Sequence, residues 1–313
     1  MTLQRFEEKN RVIREKFMEF KKQNPDRLKQ KLNFSWSNWG FGIEPLTDTV
    51  KRLKKNKIEF IELHGNRYSS DLGYNPKEVK KFLDDNGIKV AGICGMFSLQ
   101  NDLSSNIPLY RQNAIDYIRR NVDLGVQLGA GYILLCPGAV GRPAKYDDME
   151  FERSVETLQL VTDCFTEIRG AIEPIRAAET SLVHTFAEAE RYIKSVNNPG
   201  IAHINGDVYH MLAEENHIAQ TIIDYGSRLI NLHLADSNRR ALGDGLLDLD
   251  IIIMALYLIG FNNNHSFCTA EPLGPGGDPY PAMYGKPEPE VLDTLVAKTV
   301  EYWRGREEVV RNL

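Results

Sequence analysis

Eight short apolar runs alternate with longer, helix-like stretches along this chain of 313 residues. Runs that are apolar throughout are typical of strands buried on both faces of a parallel sheet, and the helix-like stretches supply the cover that such a sheet needs. The pattern therefore predicts an α/β fold. The candidate strands are residues 32–37, 58–64, 88–95, 131–137, 169–175, 200–206, 228–235 and 266–271.

An open sheet and a closed barrel share this local pattern, so the polar residues must distinguish them. Glu173, Asp207, His233 and Glu271 lie at the ends of the last four runs, at intervals near the ~30 residues of one strand-plus-helix unit. In a closed barrel of parallel strands those ends face one shared mouth. No G-x-G-x-x-G or Walker A motif is present, so we expect no nucleotide cofactor. These features predict a (β/α)8 barrel.

The first thirty residues have a different pattern. Residues 3–22 carry Phe6, Ile13, Phe17 and Phe20 at helical spacing, which predicts an amphipathic helix. We therefore expect two parts, an N-terminal helical extension at 1–30 and a barrel catalytic domain at 31–313.

Composition excludes several classes of protein. The net charge of −5 offers no electrostatic attraction for nucleic acid or an anionic membrane surface. No apolar run approaches the ~18 residues that span a bilayer, and the N-terminus lacks the apolar core of a signal peptide. None of the four cysteines forms a C-x-x-C pair, which favours free buried thiols in a reducing compartment. We therefore expect a cytoplasmic protein.

The four polar residues at the strand ends form a candidate metal site. Taken singly, each glutamate could cap a helix, Asp207 could stabilise a turn, and His233 could be a core histidine. Three carboxylates converging in one barrel mouth would repel each other unless a cation held them. Oxygen ligands with one imidazole suit Mn²⁺, with Mg²⁺ and Co²⁺ as alternatives, better than structural Zn²⁺. We predict one divalent metal, bound by Glu173, Asp207, His233 and Glu271.

Further polar residues follow these ligands at short offsets: Glu179, His210 and Arg239. With the four ligands, they make residues 31–305 resemble the xylose-isomerase-like barrels, specifically the ketose 3-epimerase group. The resemblance implies one metal held by the Glu, Asp, His and Glu of the last four strands. It also implies that His210, Arg239 and Glu179 contact the oxygens of a sugar.

The chemistry of that group accounts for the residue types. A metal ion next to a sugar carbonyl acts as a Lewis acid and stabilises the enolate that deprotonation forms. Glu271 would remove a proton from one face of the carbon and Glu173 would return one to the other, which inverts the centre. His210 and Arg239 would offset the developing negative charge.

Three segments suggest a narrower resemblance. Residues 34–46, 61–76 and 271–285, with the extra N-terminal helix, resemble the larger subunit of bacterial C-glycoside deglycosidases. That resemblance implies a carbon–carbon lyase that eliminates the aglycone from a 3-oxo-C-glycoside and pairs with a small β-rich subunit. The base would be a histidine, His210 by preference or His64. The alternative is a ketose 3-epimerase or sugar isomerase, assembled as a homo-oligomer.

Aromatic residues and long loops complete the predicted mouth. Trp36 and Trp39 follow the first strand and could stack on a sugar or phenolic ring, with core packing as the alternative. Long connections at 95–109, 137–148 and 271–288 lie on the same side, and the prolines of the last predict a rigid rim.

Two other classes of protein compete with this interpretation: a three-metal phosphodiesterase on the same barrel, and a scaffold without catalysis. The few histidines oppose the first, and the intact ligand set opposes the second.

Overall fold

The computed structural model describes residues 4–65, 73–95, 97–273 and 288–313. Its centre is a closed barrel of eight parallel strands, in which each strand pairs with the next along the chain and the last pairs with the first. All eight predicted strands are present, and the predicted (β/α)8 TIM barrel is confirmed. The strands are β1 Phe34–Ser37, β2 Phe60–His64, β3 Lys89–Cys94, β4 Tyr132–Leu135, β5 Arg169–Ile172, β6 His203–Asp207, β7 Leu229–Leu234 and β8 Phe267–Ala270.

Ten described helices surround or extend the barrel. Short 3-10 helices at Pro25–Leu28, Asn38–Phe41 and Thr162–Cys164 join the irregular segments. Among the described residues, no helix is both long and apolar enough to cross a bilayer. The helices are α1 Gln4–Gln23, α2 Leu46–Lys55, α3 Pro76–Asp85, α4 Pro108–Leu128, α5 Glu150–Gln159, α6 Phe186–Val196, α7 Val208–Glu214, α8 Ile218–Tyr225, α9 Leu249–Leu258 and α10 Pro289–Asn312.

The predicted N-terminal helix is present as α1 and packs on the barrel. Ile13 and Phe17 are fully buried in the same hydrophobic core as the barrel residues, whereas Phe6 is exposed. Lys21 Nζ donates hydrogen bonds of 2.9 Å to the backbone oxygens of Arg311 and Leu313. The helix therefore lies against the C-terminal end of the chain. The division into an extension at 1–30 and a domain at 31–313 stays a prediction.

A cluster of buried residues fills part of the barrel interior. Tyr132 of β4 is completely buried, packs with Ala91, Ala171, Ile230 and Phe267, and lies next to Gly92 of β3. A Cβ atom at Gly92 would come within 2.2 Å of the Tyr132 ring. Gly92 is therefore required for the tyrosine ring to fit inside the barrel.

Two of the three predicted long connections are held at the mouth by a buried ion-pair cluster. Arg142 Nη2 lies 3.1 Å from Asp102 Oδ2 and 2.8 Å from Ser104 Oγ, and it also pairs with Glu150. These contacts join the connection 95–109 to the connection 137–148. The predicted rigid rim at 271–288 lies largely outside the described residues, as do parts of the segments 61–76 and 271–285.

Candidate active site

The four predicted ligands lie together at the carboxyl ends of β5 to β8. Glu173 and Glu271 directly follow β5 and β8, Asp207 ends β6, and His233 lies within β7. His233 Nδ1 is 3.4 Å from Glu173 Oε1 and 3.2 Å from Glu271 Oε2. All four side chains are buried, with at most 7% exposure. The convergence expected from their spacing is therefore present.

Asp207 joins this group through its second carboxylate oxygen. Its Oδ1 atom caps α7 by accepting a 2.7 Å hydrogen bond from the backbone N–H of Tyr209. Its Oδ2 atom lies 3.3 Å from His210 Nε2 but accepts no hydrogen bond from any described residue. Ligand atoms of Glu173, Asp207 and His210 lie within 4.8 Å of one another. A buried carboxylate oxygen without a donor is costly, and a cation would satisfy it.

The charge of the site favours a bound cation. Burial lowers the pKa of His233, but the carboxylates of Glu271 and Glu62 outweigh it and hold the pKa well above its usual value. Burial raises the pKa of Asp207, but neighbouring cationic side chains hold it below its usual value. Burial, with a contribution from Asp207, raises the pKa of Glu271 to about 8. Burial therefore disfavours the charged form of Glu271, and a cation beside that carboxylate would offset the cost.

Carboxylate oxygens and one imidazole nitrogen are suitable donors for a divalent metal. Two separate candidate ligand groups are present among the described residues, one of Glu62, His233 and Glu271 and one of Glu173, Asp207 and His210. The contact between Glu173 and His233 connects the two groups. The four predicted ligands are divided between these groups, and their carboxylate and imidazole donors are of the kind that a divalent metal binds.

Sequence patterns did not predict Glu62, which lies in β2 and is completely buried. Its two carboxylate oxygens are each 3.1 Å from His233 Nε2, and Oε2 accepts a 2.6 Å hydrogen bond from the Tyr132 hydroxyl. The available signal was an acid inside the otherwise apolar run FIELH. A glutamate in a strand can also face solvent. The sequence therefore could not show that Glu62 faces the barrel interior.

Three further polar residues of the barrel interior were also not predicted. Asn205 Nδ2 donates a 3.0 Å hydrogen bond to Glu173 Oε1, and Asn231 Nδ2 donates a 2.7 Å hydrogen bond to Asn205 Oδ1. Thr269 Oγ1 in turn donates to Asn231 Oδ1 at 2.7 Å. This chain of amides and a hydroxyl below the mouth fixes the orientation of the Glu173 carboxylate.

Arg239 extends over the mouth from the turn after β7. Its backbone has φ 59°, a left-handed conformation that costs free energy for a residue with a Cβ atom. The Asp236 carboxylate holds this turn by accepting from the backbone N–H groups of Ser237, Gly243 and Leu247. Arg239 Nη2 lies 3.8 Å from Glu271 Oε1.

Two aromatic rings and Glu179 surround the Arg239 guanidinium. It lies 5.3 Å from the centre of the Trp39 ring and 4.7 Å from that of Tyr209. Its Nη1 atom is 3.7 Å from Glu179 Oε1, and Arg176 Nε donates a 2.5 Å hydrogen bond to the same oxygen. Glu179, His210 and Arg239, which were predicted to contact the substrate, are thus brought to one side of the mouth.

The two tryptophans that were predicted to contact the substrate lie in different surroundings. Trp39 lines the mouth, and its buried indole N–H has no acceptor among the described residues. Trp36 is 1% exposed, stacks on Phe41 with ring centres 5.8 Å apart, and does not line the cavity formed by the described residues. His64 at the end of β2 does not line it either. Their roles with substrate stay predictions, and for Trp36 the packing favours the core alternative.

Among the described residues, the mouth contains a cavity with about 440 Å³ of space free of protein atoms, open solvent included. Its lining combines charged side chains with Leu134, Val140, Ile175 and the thiols of Cys94 and Cys136. Burial raises the pKa of both thiols well above the usual value, so they are neutral at neutral pH. All four cysteines are free, as predicted. The cavity therefore combines charged and apolar lining residues.

Comparison with known proteins places this barrel in a family. Residues 50–285 match the family model described as xylose isomerase-like TIM barrel. The chain belongs to that family, as its sequence pattern predicted.

Several curated and solved members resemble the chain. The ketose 3-epimerase of Arthrobacter globiformis is 25% identical over 228 residues, covering 71% of this chain and 76% of the relative. The 3-dehydro-D-guloside 4-epimerase of Escherichia coli is 26% identical over 230 residues, covering 70% and 85%. A solved L-ribulose 3-epimerase superposes with a TM-score of 0.78 at 17% identity, covering 90% of this chain and 96% of that structure.

Proposed function

We propose that this chain is a divalent-metal-dependent sugar epimerase that deprotonates a keto sugar next to its carbonyl. The observation that carries the proposal is the placement of two buried glutamates around one imidazole. Glu173 and Glu271 come from β5 and β8 and approach His233 Nδ1 to 3.4 Å and 3.2 Å. Inversion of a carbon needs a proton acceptor and a proton donor on different sides of the substrate, and these glutamates come from either side of β6 and β7.

The relatives support the epimerase interpretation and its substrate class. Their names describe epimerases of ketoses and of a dehydro sugar, and each of these substrates carries a ketone. They therefore favour the alternative prediction of a ketose 3-epimerase or a related sugar epimerase. The C-glycoside lyase prediction gains no support from these relatives.

Glu173, Asp207, His233 and Glu271 would hold the metal, with Mn²⁺ as our first choice. When bound, the ion supplies Lewis acidity that makes the C–H bond next to the carbonyl easier to deprotonate. The identity of the ion is part of the proposal. Elemental analysis of the purified chain, together with reconstitution by Mn²⁺, Mg²⁺ and Co²⁺ in turn, tests it.

The side chains of the mouth divide the remaining tasks. Glu271 accepts the proton from one face of the carbon, and Glu173 delivers a proton to the other face. His210 and the Arg239 guanidinium bind the sugar oxygens and offset negative charge that develops on them. Glu179 keeps Arg239 in place across 3.7 Å, and the Trp39 N–H, which has no acceptor among the described residues, is a donor for a hydroxyl group. The apolar lining residues reduce contact of the reacting carbon with water.

A product assay in deuterated water tests the proposal directly. The Mn²⁺-loaded chain is incubated with free ketoses and with 3-oxo-glucosides, including a 3-oxo-C-glucoside, and products are analysed by NMR and mass spectrometry. We expect a stereoisomer of the substrate with deuterium at the inverted carbon. Release of an aglycone would support the lyase instead. Failure to exchange any carbon-bound proton in every substrate would contradict both.

The predicted assembly and location belong to the proposal as well. We propose a sugar or glycoside substrate, a homo-oligomer as the form consistent with an epimerase, and a cytoplasmic protein. The hetero-oligomer with a small β-rich subunit is tied to the lyase alternative. Light scattering measures the mass of the purified chain alone and of the complex that is purified from its source. A multiple of the chain mass indicates a homo-oligomer, and an additional small subunit indicates the hetero-oligomer.

A further inference from the structure

The His233 ring has different neighbours at its two nitrogens. Nε2 faces the Glu62 carboxylate, with both oxygens at 3.1 Å. Nδ1 faces the mouth, where Glu173 Oε1 and Glu271 Oε2 lie at 3.4 Å and 3.2 Å. An imidazole binds a metal through one nitrogen, and the other is then available to donate a proton.

We propose that Glu62 is a positioning residue that keeps the proton of His233 on Nε2 and so reserves Nδ1 for the metal. This inference rests on the metal site of the proposed function and adds a residue that does not contact the substrate. A glutamate below the ring accepts the N–H hydrogen bond, fixes the ring plane and makes the opposite nitrogen a better electron donor.

Glu62 could instead be a metal ligand, because it forms a possible ligand group with His233 and Glu271. The distribution of carboxylates argues against this role. The Nδ1 side of the ring has two carboxylates within 3.4 Å, and Glu173 links that side to Asp207. The Nε2 side has Glu62 alone, and Glu62 Oε2 already accepts the Tyr132 hydrogen bond. A single ion therefore has more ligands on the Nδ1 side.

The barrel interior holds Glu62 in this position. Tyr132 donates to Oε2 at 2.6 Å from β4, and Asn231 Nδ2 of β7 lies 3.4 Å from the same oxygen. Both side chains are completely buried, so no water competes for the carboxylate. Gly92 leaves the space that the Tyr132 ring occupies. Contacts from two strands, β4 and β7, thus maintain a charged acceptor beneath the metal-binding histidine.

The first test measures metal affinity in the full chain. Glu62→Gln keeps the size of the side chain and an acceptor oxygen but removes the negative charge. We expect the Mn²⁺ dissociation constant, measured by electron paramagnetic resonance of the free ion, to rise about 10- to 100-fold. Tyr132→Phe is the matched control, since it removes a neutral donor to Glu62 and leaves the carboxylate facing His233. We expect it to change the constant by less than about fivefold.

The second test uses the wild-type chain and does not depend on the folding of a variant. Long-range ¹H–¹⁵N NMR correlations of the chain loaded with Zn²⁺ or Mg²⁺ report which nitrogen of His233 carries the proton. We expect a protonated Nε2 and a coordinated Nδ1. A merely structural role for Glu62 would not determine this tautomer.

The outcomes separate this inference from the proposed function. Coordination through Nε2 in the wild-type chain, or equal Mn²⁺ affinity in Glu62→Gln and wild type, overturns the role of Glu62 alone. Equal losses in Glu62→Gln and Tyr132→Phe also overturn it, because they indicate general loosening of the interior. A wild-type chain that binds none of these ions overturns both the inference and the metal site of the proposed function.

Discussion

At the scale of single residues, burial and charge decide what the site can do. Asp207 Oδ2 is buried without a hydrogen-bond donor among the described residues, while Oδ1 of the same carboxylate caps a helix. Burial raises the pKa of Glu271 to about 8. Carboxylates that lack donors and resist ionisation are the groups that a divalent cation stabilises most.

Glu271→Gln is expected to abolish turnover while the chain keeps its fold and most of its metal. The amide retains one oxygen for the ion but cannot accept the substrate proton, so kcat should fall by about 100- to 10,000-fold. Steady-state kinetics and elemental analysis measure the two effects. Glu179→Gln serves as the control, and we expect it to affect KM more than kcat. Near-normal turnover by Glu271→Gln would remove this residue from the proton transfer.

Sequence patterns located some residues of the site better than others. Glu173, Asp207, His233 and Glu271 were predictable because each lies at or next to the carboxyl end of a strand, and these ends of a barrel face one mouth whatever the details of packing. Glu62 was not, because its partner His233 lies across the barrel interior in β7. Trp36 and Trp39 are three residues apart, yet one packs in the core and the other lines the mouth. This difference arises because β1 ends between the two tryptophans and a 3-10 helix follows, so their side chains point in different directions.

At the scale of elements, the junctions after the strands build the site. The end of β6 is also the N-cap of α7, which returns His210 to within 3.3 Å of Asp207. The turn after β7 is held by the Asp236 carboxylate and presents Arg239 in a left-handed conformation. The connections after β3 and β4 are joined by Arg142, whose side chain is buried together with those of Asp102 and Glu150.

Arg142→Met should destabilise the chain, because it leaves two buried carboxylates without their cation. The expected loss is about 3–5 kcal/mol in the free energy of unfolding. Arg119→Met is the matched control, since Arg119 and its partner Asp163 are 45% and 67% exposed, and it should cost no more than about 1 kcal/mol. Urea unfolding of both variants, followed by circular dichroism, gives the comparison. Equal losses in the two variants would show that burial does not determine how much the Arg142 cluster contributes to the free energy of unfolding.

At the scale of the whole molecule, barrel closure determines which residues meet. Pairing of β8 with β1 completes the ring, and β2 and β7, which are not neighbours in it, bring Glu62 and His233 together in the interior. The N-terminal helix contributes Ile13 and Phe17 to the common core. A metal that binds only the closed barrel therefore stabilises the whole chain.

Added Mn²⁺ should raise the melting temperature of the metal-free chain. At a free concentration of 100 times the dissociation constant, binding adds about 2.7 kcal/mol, which corresponds to a rise of about 4 °C in a chain of this size. Differential scanning calorimetry with increasing Mn²⁺ measures the shift. His233→Ala should reduce the shift strongly. A shift of equal size in that variant would contradict the role of His233 as a ligand.

The sequence by itself determined the strand order, the fold class and the line of predicted ligands at the mouth, because these depend on local periodicity and on the direction of parallel strands. The tertiary structure alone decided that Glu62 contacts His233, that Asn205 donates to Glu173, and that Trp39 rather than Trp36 lines the cavity. These contacts join residues far apart in the chain or depend on the rotation of a side chain. No local pattern encodes them, since they exist only once the barrel has closed.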